Sequence, residues 1–155
     1  KIGSKPNLHE NELTDCIRNT VTYLKTRIPS TVHIETNIND HGLIFLPLNV
    51  ELFEWVIENL CKNAVDAIGT NGTIRISLDD AEKHVGIEIS DTGKGISKSD
   101  FKNVFKPGYT TKNRGWGLGL SLAKRIIEEY HGGKIYVKSS EIGKGTTFRI
   151  TLKKE

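Results

Sequence analysis

Little in these 155 residues is extreme, and what is missing narrows the reading. There are two cysteines, Cys16 and Cys61, both within helical patterns and without metal-like spacing. They fit a reduced, cytosolic setting and leave open a single disulfide. No apolar run is long enough to span a bilayer, and there is no signal-peptide pattern. Strong charge bias is absent as well: the formal net charge is +3, and the basic residues are dispersed apart from Lys106, Lys112 and Arg114. Such a balance gives no reason to expect nucleic acid as a partner. Repeats, low-complexity tracts and linkers are lacking, and the length fits one domain with a sizeable core. The chain begins at Lys1 rather than a methionine, consistent with a piece of a longer protein whose anchors or sensor domains lie outside it.

What is present is periodic. Leu13, Ile17, Val21, Leu24 and Ile28 recur at helical spacing until Pro29. Val32 to Ile38 alternate as a strand, and turn-rich 39–42 lead to a short apolar stretch at Ile44 to Leu46. Asn49 is placed to cap a helix reaching Ile68, which Gly69 and Asn71-Gly72 end. Two alternating runs, Ile74 to Leu78 and Val85 to Ile89, flank a hairpin loop at 79–83. A short helix is expected from Lys98 to Val104 and an amphipathic one from Leu118 to Tyr130, ending at Gly132-Gly133. Strands at 134–139 and 146–152 complete the chain. Strands joined by tight turns, with helices in separate blocks, predict an α+β sandwich with helices on one face of a mixed sheet.

Two glycine clusters stand out, Asp91-Thr-Gly-Lys-Gly-Ile96 and Gly115-Trp-Gly-Leu-Gly-Leu120. Val85, Ile87, Ile89 and Asp91 share one strand face, so Asp91 is aimed at the core side. A buried carboxylate needs hydrogen-bond donors, and an adenine amino group is one. Gly93 and Gly95 would let a flat base approach the backbone. A tight Asp-Thr-Gly turn, with Asp91 accepting backbone N–H groups, accounts for the same residues. In the second cluster Gly117 and Gly119 flank the first turn of a helix, where free N–H groups and the helix dipole favour phosphate. The intervening loop carries Tyr109, Thr110, Thr111, Lys112 and Arg114, with hinges at Gly108 and Gly115. Lys112 and Arg114 can reach terminal phosphates, and Tyr109 and Trp116 can pack over a ligand or onto the body. A surface loop with incidental basic residues is the simpler alternative. The glycine spacing is neither that of a P-loop nor that of a βαβ dinucleotide fingerprint.

On the long helix, Leu52, Val56, Leu60, Ala64 and Ala67 form the expected apolar stripe, edged by Asn59, Asn63 and Asp66. Asparagine is a mediocre helix former, so two in one interior call for a reason. Facing a pocket, Asn63 offers a neutral oxygen to Mg²⁺, which shares its coordination with phosphates and water. A solvated helix edge is the other explanation. Glu58, a tempting general base, lies about 140° around the helix from Asn63 and should face away. Near the end, Thr146 is the polar member of the strand face that carries Phe148, Ile150 and Leu152, and its hydroxyl can join Asp91 in holding a base. A plain hairpin turn explains Gly143 and Gly145 equally well.

In this order the pieces resemble the catalytic and ATP-binding domain of sensor histidine kinases, within the superfamily shared with gyrase B, Hsp90-type chaperones and MutL-type repair ATPases. Asn59-Leu-Cys-Lys-Asn63-Ala resembles the N box, Asp91 to Gly95 the G1 box and Phe101 to Phe105 the F box. Gly115 to Leu120 resembles G2, and Gly143-Lys-Gly-Thr-Thr-Phe148 the last glycine box. The resemblance runs from near Val32 to Leu152. It implies a two-layer Bergerat ATP-binding fold with a mostly antiparallel sheet, and ATP and Mg²⁺ as cofactors. Asn63 would hold the metal, Asn59 would lie beside the phosphates, and Asp91 would take the adenine amino group. The rest of the implied contact set is Asp66, Gly93, Gly95, Ile96, Tyr109 to Lys112, Gly115 to Leu120, and Thr146. Lys112 or Arg114, on a lid over 105–116, would meet the γ-phosphate.

The implied reaction is phosphoryl transfer to a histidine on a separate dimerisation domain, which a helix within residues 1–30 would join. A response regulator would act downstream, and the full-length protein would be a homodimer. Three departures bear on that reading. Hydrolytic relatives carry a glutamate four residues before the metal asparagine, where Asn59 stands. Many kinases carry a lysine where Asp66 stands, and Trp116 replaces a small residue in G2. His9-Glu10 starts like a phosphoacceptor box but lacks its basic residue and proline, and His33, His41, His84 and His131 are isolated. The alternatives are an anti-sigma-factor-type serine kinase, an ATP-gated clamp of the gyrase or MutL kind, and a nucleotide-binding module without turnover.

Overall fold

The computed structural model describes residues 6–38, 42–109 and 119–154. Strand β1 (His9–Glu12) leads directly into helix α1 (Leu13–Lys25), followed by β2 (Val32–Asn37) and β3 (Phe45–Leu48). Helix α2 spans Val50–Ile68, then come β4 (Gly72–Asp80) and β5 (His84–Asp91). Two 3₁₀ turns, Lys98–Asp100 and Asn103–Phe105, precede α3 (Gly119–Arg125), which runs on into a π-helical turn over Ile126–Tyr130. Strands β6 (Lys134–Glu141) and β7 (Gly145–Lys153) end the chain.

The main sheet has five strands in the order β2-β4-β5-β7-β6, with β2 parallel to β4 and every other neighbour antiparallel. Alternation sends Ile74, Ile76, Val85, Ile87, Ile89, Phe148, Ile150 and Ile135 to one face, where they are buried against α1, α2 and α3. Each such side chain contributes roughly 1.5–3 kcal/mol through burial. The other face carries polar ladders, among them Glu35 with Arg75, and Arg149 between Asp79 and Glu88. The expected α+β sandwich with a mostly antiparallel sheet is therefore the observed one.

Local chemistry explains where the elements differ from their sequence-based outlines. Strand β1, absent from the periodicity reading, pairs antiparallel with β3, so His9 faces Leu48 across a two-stranded ribbon. Glu12 ends that strand and caps α1 by accepting from Thr14 and Asp15, and its carboxylate also takes the Ile44 N–H. Asp79 and Asp80 pair with Gly86 and Val85, so the hairpin loop shrinks to 81–83. Their carboxylates meet Arg149 and Lys154, which favours extension over a wider turn. The single helix expected at 98–104 is two 3₁₀ turns, because Ser97, Asp100 and Asn103 bond to one another and to nearby backbone. On α2 the fully buried side includes Phe53, Ile57 and Cys61, while Leu52 and Ala67 are half-buried, so the apolar stripe is broader than the spacing suggested. Both cysteines are buried free thiols, which closes the disulfide alternative.

Candidate functional site

Asp91 ends β5 in the middle of the sheet, opposite Ile74 on β4 and Thr146 on β7. Its Oδ1 accepts the N–H of Gly93 at 2.8 Å and of Thr146 at 3.3 Å. The tight-turn geometry is thus present, and it uses only one carboxylate oxygen. Among the described residues no donor is bonded to Oδ2. Burial pushes the Asp91 carboxyl above its usual value, and the two N–H groups pull it back only in part. An acceptor raised in energy by desolvation, with one oxygen left over, is what a ligand amino group stabilises.

The loop after Asp91 is bound on both sides. Lys94 donates its N–H to the Ala67 carbonyl at the end of α2, and its own carbonyl accepts from Gly143 in the β6–β7 turn. A side chain at Gly93 would sit 2.7 Å from the Ala67 backbone, and one at Gly95 would strike the Glu141 carbonyl. The room that these glycines release is filled by protein. Their role is close packing of three elements rather than the open backbone that the sequence suggested. Gly145, with φ of 135°, has its missing Cβ aimed at the Asp91 carbonyl, so it too is required by more than a hairpin turn. Ile96 is half-buried against the core, and its N–H bonds to Ser140 Oγ at 2.7 Å. Thr146 is buried, and its hydroxyl lies 2.8 Å from the same Ser140 oxygen. Ser140 escaped the sequence reading because strand alternation alone does not turn it inward.

At the other end, α3 begins against α2. A Cβ on Gly119 would come within 2.7 Å of Asn59 Oδ1 and 2.8 Å of its Nδ2. Asn59 Nδ2 is buried and has no hydrogen-bond partner among the described residues. An unsatisfied amide donor beside a helix start suits an anionic oxygen. Asn63, one turn further along α2, is half-buried, Asp66 is exposed and Leu120 is half-buried. Among the described residues no three His, Cys, Asp or Glu side chains converge on a metal-sized site. A divalent cation here would rest on the Asn63 carboxamide together with ligand oxygens and water. Glu58 lies elsewhere: it pairs with Lys62 at 2.8 Å and lines a hollow between α1 and α2 with Asn19, Thr20, Tyr23 and Glu54.

Phe105, the expected first residue of the lid, is a core side chain, packed edge-on to Phe148 with centroids 6.0 Å apart. Tyr109 is half-buried and hydrogen-bonds Asp100 through its hydroxyl. Thr110, Thr111, Lys112, Arg114, Gly115, Trp116, Gly117 and Leu118 lie outside the described residues.

Residues 49–155 match the family described as histidine kinase-, DNA gyrase B-, and HSP90-like ATPase. Sporulation kinase C of Bacillus subtilis is 32% identical over 143 residues, covering 92% of this chain and 33% of that protein. Sensor histidine kinase ZraS of Escherichia coli K12 is 43% identical over 97 residues, 63% of this chain and 20% of that protein. The chain thus spans a third or less of the length of these curated relatives. The nucleotide-free catalytic domain of histidine kinase ThkA superposes with a TM-score of 0.83 at 30% identity, covering 96% of this chain and 97% of that one. ThkA is also known in complex with the response regulator TrrA.

Proposed function

The chain belongs to the histidine kinase-, DNA gyrase B-, and HSP90-like ATPase family, and from that premise we propose that it is the ATP-binding catalytic domain of a two-component sensor histidine kinase. Asp91 Oδ2 accepts from the adenine amino group, with Thr146 beside it. The phosphates extend toward Asn59 and the start of α3, and Lys112 or Arg114 contacts the terminal one. Asn63 would hold Mg²⁺, which would supply charge neutralisation for the phosphates there. The γ-phosphoryl group passes to a histidine on a dimerisation domain of the same protein and onward to a response regulator. The chain's contribution is to position the nucleotide and to supply donors for its charge.

The observation that carries transfer rather than hydrolysis is Asn59. It occupies the place from which hydrolytic members activate water, and it is an amide packed against Gly119, not a carboxylate. The nearest carboxylate in sequence, Glu58, is engaged by Lys62 near the hollow between the helices. The same feature disfavours the serine-kinase alternative, whose resemblance calls for a glutamate there.

The test is to incubate the full-length protein with γ-labelled ATP and Mg²⁺ and to examine the labelled residue. A phosphoramidate that is lost in acid and survives alkali is expected, and Asn63→Ala abolishes it while the domain stays folded. An acid-stable phosphoester would establish the serine-kinase reading, and labelling that persists in Asn63→Ala would reject Asn63 as metal ligand.

A further inference from the structure

Strand β6 contains a bulge. Val137 pairs with Phe148 and Ser139 with Thr147, so Lys138 is an extra residue with no opposite number. Regular alternation from Ile135 and Val137 would aim Ser139 inward. The bulge shifts the phase by one residue, and Ser140 turns inward beside Thr146 instead. Such re-aiming of one side chain is a use to which bulges are put near functional sites.

Ser140 Oγ then makes three contacts. It accepts the Ile96 N–H at 2.7 Å, donates to the Gly145 carbonyl at 3.0 Å, and lies 2.8 Å from Thr146 Oγ1. A serine hydroxyl has one proton and two acceptor positions. Only one assignment gives each contact its own proton: Ile96 and Thr146 donate to Ser140, and Ser140 donates to Gly145. Thr146 therefore spends its only proton inside the protein. Its oxygen remains as a pure acceptor next to Asp91, which is itself an acceptor.

We propose that Ser140 is a positioning residue that fixes the Thr146 hydroxyl as an acceptor, and so makes this end of the site select a 6-amino purine over a 6-oxo purine. The proposal rests on the nucleotide reading above and names a residue outside the ligand contacts. Two neighbouring acceptors match an amino group with two N–H donors. A carbonyl at the same ring position would face them with lone pairs. Without the Ser140 hydroxyl, the Thr146 O–H is released to rotate and donate, and a 6-oxo group becomes acceptable.

The experiment is calorimetric titration of the protein with ATP and with ITP, each with Mg²⁺, for wild type, Ser140→Ala and Ser140→Thr. Wild type binds ATP more tightly. In Ser140→Ala the ITP-to-ATP ratio of dissociation constants falls about fivefold, the size of one neutral hydrogen bond. In Ser140→Thr, which keeps the hydroxyl, the ratio is retained. A purely structural serine would weaken both nucleotides together and leave the ratio unchanged, and that result overturns the proposal. If Ser140→Ala does not fold, Ser140→Cys, with its weak donor, carries the test, and an undiminished ratio there overturns it equally. Wild type that binds neither nucleotide removes the nucleotide reading and this proposal together. Wild type that discriminates while Ser140→Ala discriminates equally removes the relay alone.

Discussion

Asp91 carries opposite demands on stability and on binding. Burial raises its carboxyl above the usual aspartate value of 3.8. The neutral form is therefore the one that folding favours: this group's contribution is full below pH 3.8 and is lost as pH rises through the raised native value. Binding an amino group needs the ionised form, so ATP affinity falls as pH drops through that same raised value, at a higher pH than for an ordinary aspartate. Asp91→Asn removes the buried charge and keeps an oxygen for Gly93 and Thr146. Thermal denaturation should show it a few degrees more stable than wild type, and a lower Tm would contradict the desolvation argument. Strand parity made the inward aim of Asp91 legible in the sequence. The division of labour between its two oxygens was not legible, because it depends on Thr146, distant in the chain and adjacent only through β5–β7 register. Gly93 shows the reverse case, a residue visible in the motif whose packing partner, Ala67, no local pattern names.

Helices α2 and α3 share the core, and their contacts at its two ends each make a prediction at the scale of the element. At the site end Gly119 lies against Asn59, with no room for a methyl group. Gly119→Ala should displace the Asn59 carboxamide and weaken ATP binding about tenfold, near 1.4 kcal/mol, with a small change in Tm. Unchanged affinity in calorimetry would show that Asn59 takes no part. At the far end His131 bridges the elements: Asn49 donates its N–H to Nε2 at 3.1 Å, and Nδ1–H donates to the Ile126 carbonyl at 2.9 Å. This uses the neutral ring, and burial lowers the pKa from 6.5 while the Ile126 carbonyl opposes the shift. The stabilisation is complete above pH 6.5 and is lost as pH falls through the lowered native value. Denaturant midpoints taken from neutral to mildly acidic pH should decline for wild type and flatten for His131→Phe. A wild-type slope that survives the substitution would assign the acid sensitivity elsewhere. The Asn49 cap and the Gly132 stop were readable from residue type, but the π-turn between them was not. Its i to i+5 bond from His131 to Ile126 serves a tertiary contact with Asn49 rather than any propensity of Ile126–Tyr130.

On the scale of the whole molecule, one core joins the helices to the sheet, and Cys16 and Cys61 are buried in it. Burial pushes the Cys16 thiol up to about 11 and the Cys61 thiol up to about 12, with nearby carboxylates adding to the effect. Cys61 should therefore react with a thiol reagent at neutral pH only as fast as the domain unfolds, and faster labelling would contradict a cooperative core. The layer architecture was legible because alternating runs and helical spacings seldom coincide by chance over so many elements. Strand order was not, since the parallel pairing of β2 with β4 and the central place of β5 and β7 arise from packing across the chain. That order is also what assembles the site, bringing Asp91, Thr146 and Ser140 together while α2 and α3 supply the other end. The central claim, that this arrangement is an ATP site anchored at Asp91, is tested most directly by calorimetric titration of wild type and Asp91→Asn with ATP and Mg²⁺ side by side. The account predicts micromolar-range binding by wild type, an order-of-magnitude expectation, and at least tenfold weaker binding by the variant despite its greater stability. Equal affinities would contradict it.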